Sequence, residues 1–73
     1  MKKFAVIDQI KNGDQFETLF DTPEAAIAGA EKEWNHLSTH DKNRREAFFV
    51  VECELDEDGC VDLNTADVIY TIK

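Results

Sequence analysis

The sequence predicts an α+β domain in which an antiparallel sheet of three to four strands carries one main helix on one face, in the order β-β-α-β-β. Three observations predict this fold class. β-rich runs flank an Asn-Gly turn near the start, a capped helical pattern follows, and further β-rich runs end the chain. The 73 residues suffice for one domain, covering residues 1–73.

The first two strands form a predicted hairpin. The runs 4–10 and 15–20 are rich in β-branched and aromatic residues, and the pair Asn12-Gly13 lies between them. An Asn-Gly pair accepts the positive φ angles that a tight turn requires. We therefore expect these two runs to lie side by side as antiparallel strands.

The helix is predicted over about residues 23–38. Thr22 is suited to cap the first turn, Pro23 fits the first helical position, and Glu24 interacts favourably with the positive helix end. Apolar side chains form one stripe about 100° wide. Its members are Ala26, Ile27, Ala30, Trp34 and Leu37. One helix face should therefore pack against the sheet, and a short turn is expected over residues 39–45.

The run 47–55 is the clearest strand, and its side chains alternate between two faces of the sheet. We expect one set to face the helix: Ala47, Phe49, Val51, Cys53 and Leu55. Phe48 and Val50 then belong to the uncovered face, where Leu19 joins them. An exposed apolar patch of this kind marks an interaction surface. The candidate interface residues are Leu19, Phe48 and Val50.

The last part of the chain is less regular. An acidic turn over residues 56–59 leads into a predicted short strand at 60–63, and residues 64–67 are expected to bend the chain again. The tail 68–72 is compatible with a strand, or with a short helix capped by Asn64 or Thr65.

Acidic residues dominate the charge of the chain. Sixteen acidic and eight basic residues give a net charge of −8. Such a charge repels phosphate backbones and anionic lipid, so direct nucleic-acid binding and membrane binding are disfavoured. No apolar run approaches the roughly 20 residues that a membrane-spanning helix needs.

The acidity is concentrated after residue 45. Residues 1–45 carry a net charge of −1, whereas residues 46–73 carry −7. Six acidic side chains are predicted to form a ridge on a projecting hairpin, here called the acidic ridge. They are Glu52, Glu54, Asp56, Glu57, Asp58 and Asp62. A ridge of this kind imitates a phosphate backbone toward a basic partner.

Metal-binding and catalytic patterns are incomplete. Oxygen ligands alternate from Glu54 onward as in a calcium loop, but Thr65 stands where a bidentate glutamate is needed. His36 and His40 have the spacing of zinc ligands without the glutamate of a zinc protease motif. Cys53 is expected to be a small buried hydrophobe. The sequence therefore predicts no catalytic residue, no cofactor and no metal site, and calcium or zinc binding is the weakest alternative.

Three segments carry a resemblance: residues 5–14, 22–27 and 52–64. In these three segments the chain resembles small acidic bacterial proteins of the Firmicutes type, a group without an assigned activity. The resemblance implies a bacterial, cytoplasmic origin and supplies no functional residues. Two cysteines alone are too few for a disulfide scaffold, which also favours the cytoplasm.

These observations favour a non-enzymatic module for protein–protein interaction or homo-oligomerisation. Its expected partner is another protein or a second copy of the chain in a homodimer. The alternative is an inhibitor or regulator that presents the acidic ridge to a basic partner.

Overall fold

The computed structural model describes residues 2–59 and 61–73, and these form an α+β fold. The elements are β1 (Lys2–Ile10), β2 (Gln15–Phe20), α1 (Pro23–His36), α2 (Thr39–Arg44), β3 (Arg45–Leu55) and β4 (Val61–Thr71). The four strands form one antiparallel sheet in the order β2-β1-β3-β4. The predicted fold class and the single main helix are confirmed. The element order differs from the expected one by the short helix α2.

The β1–β2 hairpin closes at the Asn-Gly pair. Asn12 and Gly13 have φ angles of 81° and 105°, in the left-handed region that these two residue types tolerate best. The amide of Ile10 donates to the Asp14 carbonyl at 2.8 Å, and the amide of Gly13 donates to the Ile10 carbonyl at 3.3 Å. The predicted turn is confirmed.

Helix α1 begins where the sequence predicts and ends earlier than expected. The Thr22 hydroxyl accepts a hydrogen bond from the Ala25 amide at 3.1 Å. The helix ends at His36 because Leu37 has an extended backbone, with φ −77° and ψ 141°. Ser38 then caps α2 by accepting from the Asp41 amide at 3.1 Å.

The main core lies between α1 and the central strands β1 and β3. Its buried members are Val6, Ala26, Ala30, Phe48 and Val50. Small helix residues bring α1 close to the sheet: a Cβ atom on Gly29 would lie 2.6 Å from Cζ of Phe20. The Phe20 ring therefore fills the space that a larger residue at position 29 would occupy.

The expected orientation of β3 was wrong. Phe48 and Val50 are fully buried beneath α1 and do not lie on the uncovered face. The Phe48 ring packs against Trp34 with 5.4 Å between ring centroids and a tilt of 54°. Both side-chain sets of β3 contain a phenylalanine and a valine, so their composition does not fix the orientation. The Phe48 ring faces the small Ala26 and Ala30 of α1 and fills the space that they leave.

The opposite face of the sheet has its own buried cluster. Ala5, Ile7, Val51 and Cys53 are buried there, and Phe49, Val61 and Ala66 pack around them. The sheet curls, and the four cluster residues are at most 2% exposed. The uncovered apolar patch that was expected on this face is therefore largely closed.

The tail of the chain is a strand, which decides between the two alternatives left open by the sequence. β4 is irregular: Glu52 lies opposite Asp67, Glu54 lies opposite Asp62, and the register therefore shifts between these pairs. The expected bend at residues 64–67 is this irregularity within one strand. The predicted start of the strand at Cys60 lies outside the described residues. No helix of the described residues is long and apolar enough to span a bilayer.

Candidate interaction surface

Large exposed apolar side chains lie on the two edge strands of the sheet. On β2, Phe16 is 59% exposed and Leu19 is 43% exposed; on β4, Val68 is 58% exposed and Ile69 is 37% exposed. Leu19 is exposed as the sequence predicted. The other two candidate interface residues are buried, so the predicted trio does not form one surface.

Strand β2 is an open edge. It pairs with β1 on one side, and no strand of residues 2–59 and 61–73 pairs with its other side. Its sequence, Gln-Phe-Glu-Thr-Leu-Phe, contains no lysine, arginine or proline, and its register with β1 has no bulge. Natural proteins often place lysine, proline or a bulge on an edge strand to prevent it from pairing with another chain. Strand β2 has none of these protections. The other edge, β4, is irregular and carries acidic residues.

The hydrogen-bond pattern of the hairpin fixes which backbone groups of β2 point outward. Because the Ile10 amide donates to the Asp14 carbonyl, alternate residues from position 14 onward bond to β1. The intervening residues turn their N–H and C=O groups away from β1. These residues are Gln15, Glu17 and Leu19.

The exposed side chains of β2 flank this edge on both faces. Phe16 lies opposite Asp8 and on the same face as the helix, whereas Leu19 lies opposite Ala5 on the other face. A second strand added to β2 would therefore cover an apolar side chain on each face. Sequence analysis missed Phe16, because its edge position depends on a strand order that only the tertiary structure provides.

The acidic ridge lies on the β3–β4 hairpin, as expected. Its two strands place like charges directly opposite each other, in the pairs Glu52–Asp67 and Glu54–Asp62. Lys2 Nζ lies 3.2 Å from Oε1 of Glu52. This contact, together with the charges of Glu54 and Asp67, raises the pKa of Lys2. Asp67 was not among the predicted ridge residues, since the irregular register that brings it beside Glu52 leaves no signal in the sequence.

The tip of the ridge is a tight turn. Asp56, Glu57 and Asp58 are exposed there, and the Asp58 amide donates to Oδ1 of Asp56 at 2.9 Å. Gly59 has a φ of 82°, a conformation that favours glycine. All six predicted ridge residues therefore belong to one projecting hairpin.

The calcium-like segment is held by its own side chains. The Thr65 hydroxyl accepts from the Glu54 amide at 3.2 Å and donates to the Asp62 carbonyl at 2.9 Å. His36 and His40 lie in different helices. The described residues contain no group of three or more His, Cys, Asp or Glu side chains arranged to hold a metal ion.

An open depression of 230 Å³ lies at the turn of the β1–β2 hairpin. Its lining residues are Gln9, Ile10, Gly13, Asp14, Gln15 and Glu46. The lining offers two carboxylates and two amides but no hydroxyl, thiol or imidazole. It therefore lacks the side chains that most often act as nucleophiles.

A buried ion pair lies under the second half of α1. Asp8 Oδ1 and Arg45 Nε are 2.8 Å apart. Burial raises the pKa of Asp8, while the charge of Arg45 opposes this effect. Burial and the nearby Asp8 charge also raise the pKa of Glu33 on α1. Asp8 and Arg45 lie within the fold between helix and sheet, whereas Glu33 is exposed beside them, so the ion pair has a structural role.

Cys53 is a buried thiol, as the sequence predicted. Its Sγ atom lies 3.6 Å from the Lys3 carbonyl oxygen, to which the thiol donates. Burial raises the pKa of Cys53, and the charge of Glu17 adds to this effect. A thiol with a raised pKa is a poor nucleophile.

Comparisons with known proteins give no match: neither a family model, nor a curated protein, nor a solved structure matches the chain. Function is therefore inferred from the geometry of the edge strands and the acidic ridge.

Proposed function

We propose that the chain is a non-enzymatic protein–protein interaction domain of the bacterial cytoplasm that binds its partner through the open edge of β2. One observation carries this proposal. Phe16 and Leu19 are exposed on opposite faces of a strand whose outer backbone groups face no described strand.

Strand addition suits such an edge. A partner strand supplies backbone hydrogen bonds to Glu17 and Leu19, while side chains on each face supply specificity. Full burial of a side chain the size of Phe16 contributes about 1.5–3 kcal/mol. Backbone pairing and burial together therefore give the edge both affinity and a defined orientation.

The experiment compares three forms of the full chain: wild type, Leu19→Glu and Val68→Glu. Leu19→Glu places a charge on the β2 edge, and Val68→Glu is the matched control on the β4 edge. Each form is immobilised and exposed to bacterial lysate, and each is also analysed alone by sedimentation equilibrium. Circular dichroism checks that both variants are folded.

The proposal predicts an association, with itself or with a lysate protein, that Leu19→Glu loses and Val68→Glu retains. An association lost equally in both variants would contradict the assignment to β2. A wild-type chain that is monomeric and captures nothing would contradict the interaction function as a whole.

The acidic ridge supports a second candidate, an inhibitor or regulator that binds a basic partner. Like charges directly opposite each other across two strands are destabilising, and here two such pairs adjoin. A basic partner would relieve this repulsion. The free energy that the repulsion costs in the free chain would then contribute in part to the free energy of binding. The only cation placed against the ridge by the described contacts is Lys2.

The dependence of binding on salt concentration distinguishes the two candidate functions. Binding through the ridge should weaken steeply as ionic strength rises, whereas apolar strand addition should persist. Glu54→Gln with Asp62→Asn removes one opposed pair, and Glu24→Gln on α1 is a control of the same charge type. Capture that is insensitive to both salt and the double substitution would exclude the ridge.

A further inference from the structure

We infer that the partner of the β2 edge is a second copy of this chain, paired antiparallel through β2 to give a continuous eight-stranded sheet. This inference rests on the proposed function and names its partner. It follows from the register, the side chains and the charge distribution of the edge.

Symmetry restricts the register. Two copies that extend one antiparallel sheet are related by a two-fold axis perpendicular to it, so facing residues must lie on the same sheet face. Two residues that face each other across the axis therefore both have odd numbers or both have even numbers. For the six residues of β2, two registers give near-complete overlap: one places Glu17 on the axis, and the other places Thr18 there.

Electrostatic repulsion disfavours one of these two registers. With Glu17 on the axis, two carboxylates of the same charge would face each other directly, which is destabilising. With Thr18 on the axis, Glu17 of each copy faces Leu19 of the other. These are the residues whose backbone groups point outward, so they form the hydrogen-bonded pairs of the new ladder.

The same register pairs the aromatic residues. Phe16 of each copy faces Phe20 of the other, at a position without backbone hydrogen bonds, where side chains of an antiparallel pair come closest. Aromatic cross-strand pairs are among the stabilising pairs in sheets. The most exposed large side chain of the edge, Phe16, thereby gains a cover.

The helices leave room for this arrangement. Helix α1 packs mainly on β1 and β3 and reaches the edge strand β2 at Phe20. In the dimer the two β1 strands would be three strand spacings apart, about 14 Å. Because the contacts of α1 centre on β1, the two helices would be about that far apart, beyond the 8–10 Å of directly packed helices. They would flank a groove with the phenylalanine pairs on its floor.

The charge distribution is compatible with this self-pairing. The acidic ridge lies on the β3–β4 hairpin, at the opposite side of the sheet from β2. The β4 strands of the two copies would be seven strand spacings apart, about 34 Å. This exceeds the Debye length of about 8 Å at physiological ionic strength, so repulsion between the two ridges is largely screened.

Charged substitutions at positions 17 and 19, which face each other across the two-fold axis, test this register. Sedimentation equilibrium is carried out on the full-length wild type, Leu19→Glu, the double variant Glu17→Lys with Leu19→Glu, and the control Val68→Glu. Wild type and Val68→Glu should be dimers of the 8.3 kDa chain. Leu19→Glu should raise the dissociation constant at least about tenfold, because the introduced carboxylate then faces Glu17 of the other copy at two symmetric positions.

The double variant should restore the dimer, because the lysine introduced at position 17 then faces the glutamate introduced at position 19 of the other copy. With position 17 on the axis instead, the double variant would place two lysines face to face and remain weak. Circular dichroism on each variant separates loss of association from loss of folding. If Leu19→Glu is unfolded, the single variant Glu17→Lys, which retains Leu19, should remain dimeric.

The outcomes separate this inference from the proposed function. A wild-type chain that stays monomeric but captures another protein through β2 would refute the homodimer and leave the interaction function intact. A dimer that Leu19→Glu does not weaken would refute the β2 interface. A chain with neither self-association nor a captured protein would refute both.

Discussion

The Asp8 carboxylate and the Arg45 guanidinium form an ion pair inside the fold, with 2.8 Å between Oδ1 and Nε. The two side chains are only 5% and 13% exposed. The pair lacks hydrogen-bond geometry, and neither atom has another hydrogen-bond partner among the described residues. Arg45 also donates from Nη1 to the Asp41 carbonyl at 3.3 Å, but the main compensation for the Asp8 charge is Arg45, because little of either side chain reaches bulk water.

Replacing Arg45 with methionine should leave the Asp8 carboxylate buried without a counter-charge. We expect the free energy of unfolding at neutral pH to fall by about 3–5 kcal/mol, the usual cost of breaking a buried pair. Urea denaturation measures this change. Arg44→Met is the matched control; its side chain is exposed, so the effect should stay within about 0.5 kcal/mol.

The cost of Arg45→Met should depend on pH. Burial already raises the pKa of Asp8 above its ordinary value of 3.8, and loss of Arg45 should raise it further. The native state then binds a proton more tightly than the unfolded state, so stability is lost as pH rises through the raised pKa. The deficit should shrink toward acidic pH, and a deficit independent of pH would contradict this role of Asp8.

Phe48 should be critical for folding because it is fully buried against Trp34. Phe48→Ala removes a large ring from the core and should lower the free energy of unfolding by about 3–5 kcal/mol. Val68→Ala, at an exposed position of β4, should change it by at most about 0.5 kcal/mol. Equal effects of the two substitutions in urea denaturation would show that Phe48 faces outward after all.

Local signals predicted most of the fold, and long-range pairing explains what they missed. The Asn12-Gly13 turn and the Thr22 cap act within a few residues, so their outcome is visible in the sequence. The orientation of β3 is different, because each of its two side-chain sets contains a phenylalanine and a valine. Phe48 packs against Trp34 and the alanines of α1, contacts between segments that are distant in the sequence.

The candidate surface was predictable only in part, for the same reason. Leu19 was expected to be exposed and is exposed, but its position on an open edge follows from the strand order. The acidic ridge was predictable because its residues are close together along one hairpin. Asp67 joins them through an irregular register, a feature that pairing of two strands creates.

The Cys53 thiol should react slowly in the native state. Burial raises its pKa, so little thiolate is present at neutral pH, and the same burial blocks access. In a Cys60→Ser variant Cys53 is the single thiol, and its reaction with a disulfide reagent should speed up sharply in urea. Equal rates in native buffer and in urea would mean that this face of the sheet is open.

A side-chain hydrogen bond links Tyr70 of β4 to Glu31 of α1. The Tyr70 hydroxyl donates to Oε1 of Glu31 at 2.6 Å, and this contact raises the pKa of Tyr70. Because Tyr70 is the single tyrosine of the chain, the ultraviolet absorbance of its phenolate gives the titration directly. Glu31→Gln removes the acceptor charge and should lower the pKa of Tyr70 toward the ordinary value of 10.0.

The free energy of unfolding should also depend on pH, because the pKa of Tyr70 is raised in the native state. A tyrosine with a raised native pKa stabilises the fold below its ordinary pKa, and this contribution is lost as pH rises through the raised value. Wild type should therefore lose more stability than Glu31→Gln in alkaline solution, while Glu24→Gln, the matched control on the exposed side of α1, should behave as wild type. Superimposable titrations of wild type and Glu31→Gln would show that α1 and β4 do not make this contact in solution.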